Sequence, residues 1–320
     1  MSIGIVGLGA HLPDRVVTNA EVAAWADTTE EWIHTVTGIE ERRYAADDEA
    51  TSDLAVAAAR AALGSGPVAP PAAILLATST PDQPQPATAS VVQRALGFAG
   101  VPSFDLNAVC SGFLYAVVVA EALLRTGPGG TALVVGADKY STIMNRRDRR
   151  TVSLFGDAAG AVVLGEVPAG YGIQASHLLT DGHHAELIEV RAGGTRLPAG
   201  DPDDHLFRMN GFVVREYVLR TLPKAVHAVL DASGVRLDEV DRFVFHQANA
   251  RLVETCAEEL GVPPAKVPLT APLLGNTAAA SIPVTLAAAH RERPLRRGER
   301  IVLAAVGGGM STGAVLLTWY

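Results

Sequence analysis

The sequence predicts an α/β protein of two duplicated halves, each with a largely parallel sheet covered by helices on both faces. Three observations support this fold class. Apolar strand-like runs alternate with stretches of helical periodicity, the order of these segments repeats once along the 320 residues, and 48% of the residues are hydrophobic. Strands that alternate with helices usually pair in parallel and are buried on both faces.

The repeated unit is a series of helical and strand-like segments. A helix leads into an apolar strand, an amphipathic stretch follows, and a strand-to-helix segment precedes the last strand. In the first copy these segments span 51–63, 73–78, 89–96, 106–124 and 132–136. In the second copy they span 213–232, 242–245, 250–260, 273–277 with the helix that follows, and 301–306.

Two copies of one unit imply a pseudo-two-fold arrangement in which equivalent strand ends converge. We expect the halves to divide between residues 167 and 172, which gives domains at 1–170 and 171–320. Cys110 belongs to the first half, and His246 and Asn276 belong to the second. Because Cys110 and Asn276 occupy related positions in the two copies, both are expected at helix N-termini that face one cleft.

Composition and charge exclude several classes of protein. The net charge of −8 argues against non-specific nucleic-acid binding, which needs a basic surface. Two cysteines provide no disulfide framework, and the first ten residues lack a basic n-region, so a reduced, cytoplasmic location is expected. The longest apolar stretch, 113–124, is too short to span a bilayer. The histidines show no metal-ligand spacing, and no metal is expected.

Cys110 is the first candidate catalytic residue, because an apolar run ends at it and a helix follows. A thiol at such a strand-to-helix turn lies at the positive end of the helix dipole, which favours the thiolate and so makes a nucleophile. The alternative is a buried core cysteine, the more usual role of a free thiol. Cys256 falls on an amphipathic helix and is expected to be structural.

His246 ends a second apolar strand, and Asn276 opens another helix. Cysteine, histidine and asparagine on three separate strand ends or turns are the components of a thiol acyl-transfer site. A hydrogen-bonded core histidine is the alternative for His246. The presence of all three residue types favours the catalytic interpretation.

Four motifs make the chain recognisable. In order, they are VCSGF at 109–113, FHQANARL at 245–252, GNTAAASIP at 275–283 and VGGGMSTG at 306–313. With them, the chain resembles the β-ketoacyl-acyl carrier protein synthase III family of thiolase-like condensing enzymes over essentially its whole length. The resemblance implies the thiolase fold, which has two duplicated αβαβα halves, pseudo-two-fold symmetry and five layers.

The resemblance also implies an activity. The enzyme would load an acyl group from a thioester onto Cys110 and condense it with malonyl-acyl carrier protein after decarboxylation, which initiates fatty-acid or polyketide-type biosynthesis. No cofactor is expected. Acyl-coenzyme A or acyl-carrier protein would take part as a substrate. The backbone N–H groups of Cys110 and Gly308 would form the oxyanion hole. Neutral His246 and Asn276 would donate hydrogen bonds to the enolate oxygen.

The binding residues are likewise implied by the family pattern. Trp32 matches a residue that stacks on the coenzyme A adenine, Arg149 one near its phosphates, and Arg251 one that docks the acidic carrier protein. The other residues assigned to substrate or coenzyme A binding are Leu154, Phe155, Met209, Arg215 and Gln85. Gln85 lies on a proline-rich loop that, by resemblance, crosses a homodimer interface and closes the acyl pocket of the other subunit.

Several residues depart from the family pattern. Val36 stands where an arginine commonly binds coenzyme A, and Arg215 and Glu216 replace an aromatic–lysine pair. The pair 258–259, both glutamates, replaces a basic pair beside the carrier-protein site. Gln85 replaces a large apolar residue, so a wider or more polar acyl pocket is expected and acetyl-coenzyme A is expected to be a poor primer. The acyl donor, its carrier and the pathway stay open.

Two other functions are compatible with the family. A related enzyme could transfer the acyl group to an alcohol or amine without decarboxylation, but it would not need the enolate-binding Asn276. A non-catalytic partner subunit of a synthase would commonly lack the nucleophile, whereas Cys110 is retained.

Overall fold

The computed structural model describes residues 2–66, 69–127 and 129–320. Its helices are α1 Asn19–Trp25, α2 Glu30–Thr37, α3 Thr51–Leu63, α4 Thr88–Leu96, α5 Gly112–Thr126, α6 Arg149–Val152, α7 Gly211–Ser233, α8 Ala250–Glu259, α9 Ala271–Leu274 and α10 Ser281–Glu292. Its strands are β1 Ser2–His11, β2 Arg15–Thr18, β3 Glu41–Tyr44, β4 Ala73–Ala77, β5 Ser103–Leu106, β6 Ala132–Asp138, β7 Ala158–Val167, β8 Gly172–Thr180, β9 Ile188–Glu189, β10 Arg208–Met209, β11 Arg242–Phe245, β12 Arg300–Gly307 and β13 Ser311–Thr318. The helices and strands predicted for both repeats are confirmed, with two exceptions: the strand expected to reach Cys110 already ends at Leu106, and the strand-to-helix segment expected at 273–277 begins in the short helix Ala271–Leu274 and contains no strand.

The described part of the chain contains two main sheets, with strand orders β1-β7-β6-β4-β5 and β11-β12-β13-β8. Strands β6, β4 and β5 are parallel, as are β11 and β12, but β7 and β13 run antiparallel to both of their neighbours. The prediction of largely parallel sheets is therefore wrong. The reason is visible between β12 and β13, which are joined by the tight turn Gly308–Met310 and not by a helical crossover.

Helices and sheets alternate in five layers. Helices α3 and α4 pack on the outer face of the first sheet, and α7 and α8 pack on the outer face of the second. Helices α5 and α10 lie between the two sheets and contribute to a shared apolar core. This layering confirms the predicted αβαβα architecture with its duplicated halves.

The two halves repeat one local conformation at the start of their central helices. Val109 and Ala278, which precede α5 and α10, both have positive φ angles of about 48° and 47°. In each case an asparagine two residues earlier accepts a hydrogen bond from the strained residue: Asn107 Oδ1 from the Val109 N–H at 3.1 Å, and Asn276 Oδ1 from the Ala278 N–H at 2.9 Å. By this register Asn276 corresponds to Asn107 and Cys110 to Ala279, which refines the predicted pairing of Cys110 with Asn276.

The central helix α5 is unusually apolar. With the turn before it, the segment Val109–Thr126 is long and apolar enough to cross a bilayer by length and composition, although its stretch 113–124 had been expected to be too short. In the structure, 56% of this segment is buried, and Phe113 and Leu114 contribute to the core shared by the two sheets. These properties are those of a core helix.

Contact between the halves depends on a glycine in β6. A Cβ atom at Gly136 would lie 2.4 Å from the carbonyl oxygen of Ala279, in the turn that leads into α10. Because the neighbouring atoms are backbone, the clash could be relieved only by moving the turn that follows Asn276.

We expect Gly136→Ala to lower the free energy of unfolding by about 1–3 kcal/mol, the usual cost of an overpacked core. Urea denaturation measures this change. Gly194→Ala is the matched control, because an added Cβ there meets no atom within 4 Å and its φ is not positive. Equal stability of the two variants would show that the two halves are not in close contact at this point.

Candidate active site

Cys110 lies in the turn Val109–Ser111, immediately before α5, and is only 7% exposed. Burial raises the pKa of its thiol above the usual value, and the negative charge of Asp138 raises it further. Desolvation by burial therefore opposes the thiolate that the helix dipole was predicted to favour. The thiol must lose its proton during the reaction.

The Cys110 turn is fixed to the turn Gly308–Met310 by hydroxyl groups and by a close backbone approach. The Ser111 and Ser311 hydroxyls lie 2.8 Å apart, and Ser311 Oγ lies 2.9 Å from the carbonyl oxygen of Gly308. A Cβ atom at Gly307 would lie 2.8 Å from the backbone nitrogens of Cys110 and Ser111. Only glycine permits this approach, which brings the chain around Gly308 next to Cys110.

His246 follows β11 directly, and its backbone N–H donates to the carbonyl of Ala304 in β12 at 2.9 Å. The side chain is 8% exposed, and among the described residues Nδ1 has no hydrogen-bond partner. Burial lowers the pKa of His246 to about 4, so its imidazole is neutral at pH 7. A neutral imidazole can donate one hydrogen bond without carrying charge.

Asn276 is held by the backbone of the 154–156 segment. Its backbone N–H donates to the Leu154 carbonyl at 2.8 Å, and its carbonyl accepts from the Gly156 N–H at 3.0 Å. Because its side-chain oxygen already accepts from Ala278, the carboxamide N–H group is the part available to a ligand. Sequence reasoning missed this role of 154–156, since no local pattern reveals a backbone pairing over 120 residues.

Cys110, His246 and Asn276 line one buried space of about 50 Å³, called the inner cavity here. Its other walls are mainly apolar side chains, among them Phe155. Cys256, expected to be structural, is buried on α8 but also lines this cavity. The structure thus brings a thiol and two neutral hydrogen-bond donors together in an apolar environment.

A cleft of about 780 Å³ leads from Asn276 to the surface. Of the residues predicted to bind substrate or carrier, it is lined by Trp32, Leu154, Met209, Arg215 and Arg251. The Arg149 guanidinium lies over the Trp32 ring, 4.8 Å from its centroid, so these two predicted binding groups are adjacent. Gln85 is exposed on its loop and lines neither the cleft nor the inner cavity.

The charges at the rim of the cleft are largely paired. Arg251 bonds to Glu254 at 3.2 Å, and Arg215 bonds to Glu216 at 3.2 Å. Glu258 and its neighbour at 259 are also exposed on α8. The outer face of α8 beside Arg251 is therefore acidic, and its charge would repel an acidic partner.

Comparison with known proteins gives the family. Residues 104–182 match the family model described as 3-Oxoacyl-[acyl-carrier-protein (ACP)] synthase III, and residues 230–319 match the model of its C-terminal part. The acetoacetyl CoA synthase NphT7 of Streptomyces sp. (strain CL190) is 46% identical over 324 residues, which cover 98% of each chain. The β-ketoacyl-[acyl-carrier-protein] synthase III of Rhodospirillum rubrum is also 46% identical, with 98% of each chain covered.

A solved structure agrees with these sequence relatives. The β-ketoacyl-[acyl carrier protein] synthase III of Thermus thermophilus has a TM-score of 0.94 and 39% identity, and covers 99% of both chains. Identity at this level over nearly the whole length of all three relatives shows that this chain belongs to the β-ketoacyl-acyl carrier protein synthase III family, and that it is a condensing acyltransferase with the thiolase fold.

Proposed function

We propose that the enzyme loads an acyl group from a thioester onto Cys110 and condenses it with malonyl-acyl carrier protein, which initiates fatty-acid or polyketide-type biosynthesis in the cytoplasm. One observation carries this proposal: Cys110, His246 and Asn276 line the same buried cavity at the inner end of a cleft. The thiol can carry the acyl group, and the two neutral side-chain donors can stabilise the enolate of the second substrate.

In the first half-reaction the Cys110 sulfur attacks the thioester carbonyl, and the donor's thiol leaves with the proton of the Cys110 thiol. The tetrahedral intermediate carries a negative oxygen, which the backbone N–H groups of Cys110 and Gly308 stabilise. Loss of one such donor typically costs about 3 kcal/mol of transition-state stabilisation. The close approach of Gly307 to Cys110 supports this pairing of the two turns.

In the second half-reaction malonyl thioester loses carbon dioxide, and the resulting enolate attacks the acyl carbon on Cys110. The imidazole N–H of His246 and the carboxamide N–H of Asn276 bind the enolate oxygen. Because burial lowers its pKa to about 4, His246 is neutral at pH 7, and its N–H donates a hydrogen bond without transferring a proton. The attack forms the new carbon–carbon bond, and collapse of the tetrahedral intermediate then breaks the bond between the acyl carbon and the Cys110 sulfur, which leaves a thiolate that takes a proton from water.

The substrate arm lies in the cleft, between the Trp32 and Arg149 pair at the surface and Asn276 at the inner end. Arg251 docks the carrier protein, and Gln85 contributes to a homodimer interface through its exposed loop. Leu154, Phe155, Met209 and Arg215 complete the binding surface around the arm and the acyl group.

A second acceptor is favoured by specific observations. The outer face of α8 is acidic and Arg251 is already paired with Glu254, which disfavours an acidic carrier protein. The relative from Streptomyces sp. (strain CL190) is named as an acetoacetyl CoA synthase. Malonyl-coenzyme A is therefore the alternative acceptor. Transfer to an alcohol or amine, and a non-catalytic role, have no comparable support from the cavity and its three polar side chains.

We expect Cys110→Ala to abolish acyl-enzyme formation, because the Cys110 sulfur is the atom that attacks the donor's carbonyl in the proposed reaction. Intact-mass measurement after incubation with acyl thioesters detects the adduct. Cys256→Ala is the control, since Cys256 lines the same cavity but lies on α8. An adduct that persists in the Cys110 variant and disappears in the Cys256 variant would transfer the assignment to Cys256.

We expect His246→Ala and Asn276→Ala to slow condensation by roughly a hundred- to a thousandfold, the usual cost of removing a donor to a developing oxyanion. Acylation of Cys110 should be affected much less, because that step uses backbone donors. Single-turnover rates of acylation and of condensation, measured separately, compare the two steps. Equal losses in both steps would contradict the proposed division of roles.

We expect Glu258→Lys to raise kcat/KM for malonyl-acyl carrier protein several-fold at low salt, because it removes a repulsive charge beside Arg251. The kcat/KM for malonyl-coenzyme A should not change. The matched control is Glu292→Lys, in the last turn of α10, which alters net charge equally. A native enzyme that uses only malonyl-coenzyme A, with no gain in the variant, would identify coenzyme A as the acceptor's carrier.

A further inference from the structure

A buried arginine lies behind the segment that holds Asn276. Arg42, in β3, is fully buried, and burial lowers its pKa to about 10, so the group is charged at pH 7. Its guanidinium donates to three neutral oxygens: Asn19 Oδ1 at 2.8 Å, the Ser153 carbonyl at 2.7 Å and the Val17 carbonyl at 3.3 Å. A buried charge is costly unless polar atoms compensate it, so the guanidinium and these oxygens hold one another in place.

The Ser153 carbonyl connects this guanidinium to the backbone around Asn276. The next residue, Leu154, accepts the Asn276 backbone N–H at 2.8 Å, and the Gly156 N–H donates to the Asn276 carbonyl at 3.0 Å. Arg42 therefore fixes one end of the short segment against which Asn276 lies. A single hydrogen bond, one residue away, separates the arginine from the backbone contact that places Asn276.

The stem of Arg42 supports the same contact from below. A Cβ atom added at Gly156 would lie 3.0 Å from the Cβ of Arg42, and one added at Gly275 would lie 3.3 Å from it. Gly275 precedes Asn276 directly, and Phe155 forms a parallel bridge with Asn276. Both segments of this bridge thus pack against one buried side chain.

The Cys110 turn is held by other groups, the Ser111 and Ser311 hydroxyls and the close approach of Gly307. The nucleophile and the carboxamide of Asn276 therefore have separate supports. Hydrogen bonds weaken steeply as their angle departs from linear, and a displacement of about 1 Å can cost roughly a hundredfold in rate. A small shift of the 154–156 segment would weaken the bond from Asn276 to the enolate and leave the thiol in place.

We propose that Arg42 is a positioning residue for condensation. Through the Ser153 carbonyl and the 154–156 segment it aims the Asn276 carboxamide at the enolate, and it takes no part in the acylation of Cys110. Arg42 lines neither the inner cavity nor the cleft, so it acts through Asn276 and not on the substrate. The inference rests on the role of Asn276 in the proposed function.

Single-turnover rates of the full-length protein test this role. Time-resolved intact mass gives the rate of acylation by an acyl N-acetylcysteamine thioester that the native protein accepts. Malonyl-coenzyme A or malonyl-acyl carrier protein, whichever the native protein uses, is then added to the acyl-enzyme to give the rate of condensation. We expect Arg42→Met to slow condensation by roughly tenfold or more and acylation by less than about threefold. Arg42→Lys keeps the charge and one nitrogen, so its condensation rate should lie between the two.

Double variants give a readout that a general loss of stability would not produce. Because Arg42 acts through Asn276, Arg42→Met should cause no further loss of condensation in the Asn276→Ala protein. In the His246→Ala protein Asn276 is still present, and Arg42→Met should slow condensation there by about the same factor as in the native protein.

The matched control is Arg242→Met. Arg242 is also buried and donates to two backbone carbonyls, those of Ala289 at 3.0 Å and Arg293 at 2.7 Å. It lies at the start of β11, whereas His246 follows the other end of that strand. Arg242→Met should leave the ratio of the acylation rate to the condensation rate unchanged.

Three outcomes would overturn the inference: an equal loss of acylation and condensation in Arg42→Met, a further loss in the Asn276→Ala protein, or the same change of ratio in Arg242→Met. If Arg42→Met does not fold, Asn19→Ala removes one oxygen that holds the guanidinium, and it must slow condensation more than acylation for the inference to stand. Condensation that is unaffected by Asn276→Ala itself would instead refute the proposed function.

Discussion

The buried carboxylate of Asp138 holds the two halves of the site together. One of its oxygens accepts hydrogen bonds from Thr78, Ser79 and Thr80, at the end of β4, at 2.8 to 3.1 Å. The other accepts from the Ala279 N–H, in the opposite half, at 2.9 Å. Hydrogen bonds to a charged group are worth about 1.5–3 kcal/mol each, so this carboxylate fixes the strand ends and the turn after Asn276 in one arrangement. Its charge also contributes to the raised pKa of Cys110.

Much of the fold follows from patterns that are local in the sequence. The helix at 51–63 and the strand at 242–245 have the predicted bounds, because their apolar spacing is regular and turn residues end them. The directions of β7 and β13 could not be predicted in this way. The direction of a strand relative to its neighbour depends on the length of the segment that connects them. The three-residue turn Gly308–Met310 is too short for the crossover that a parallel pair needs.

For the candidate site, the sequence predicted which residues take part but not the environment of each. The residues Cys110, His246 and Asn276 could be found from their motifs and from the repeat, since Cys110 and His246 follow strand ends and Asn276 lies in the turn before α10. The raised pKa of Cys110 could not be predicted in this way, because the burial that causes it exists only in the folded chain.

The strained turn that occurs at Val109 and again at Ala278 bears on how a site of this kind can evolve. Each copy is stabilised by its own asparagine, so one copy can be altered without deforming the other. A symmetric pair of turns could offer only two identical groups. Here the first copy presents the Cys110 sulfur to the inner cavity, while in the second the stabilising asparagine itself lines that cavity. Two copies of one backbone turn thus place two different polar groups at the same inner cavity, an asymmetry that identical copies could not provide.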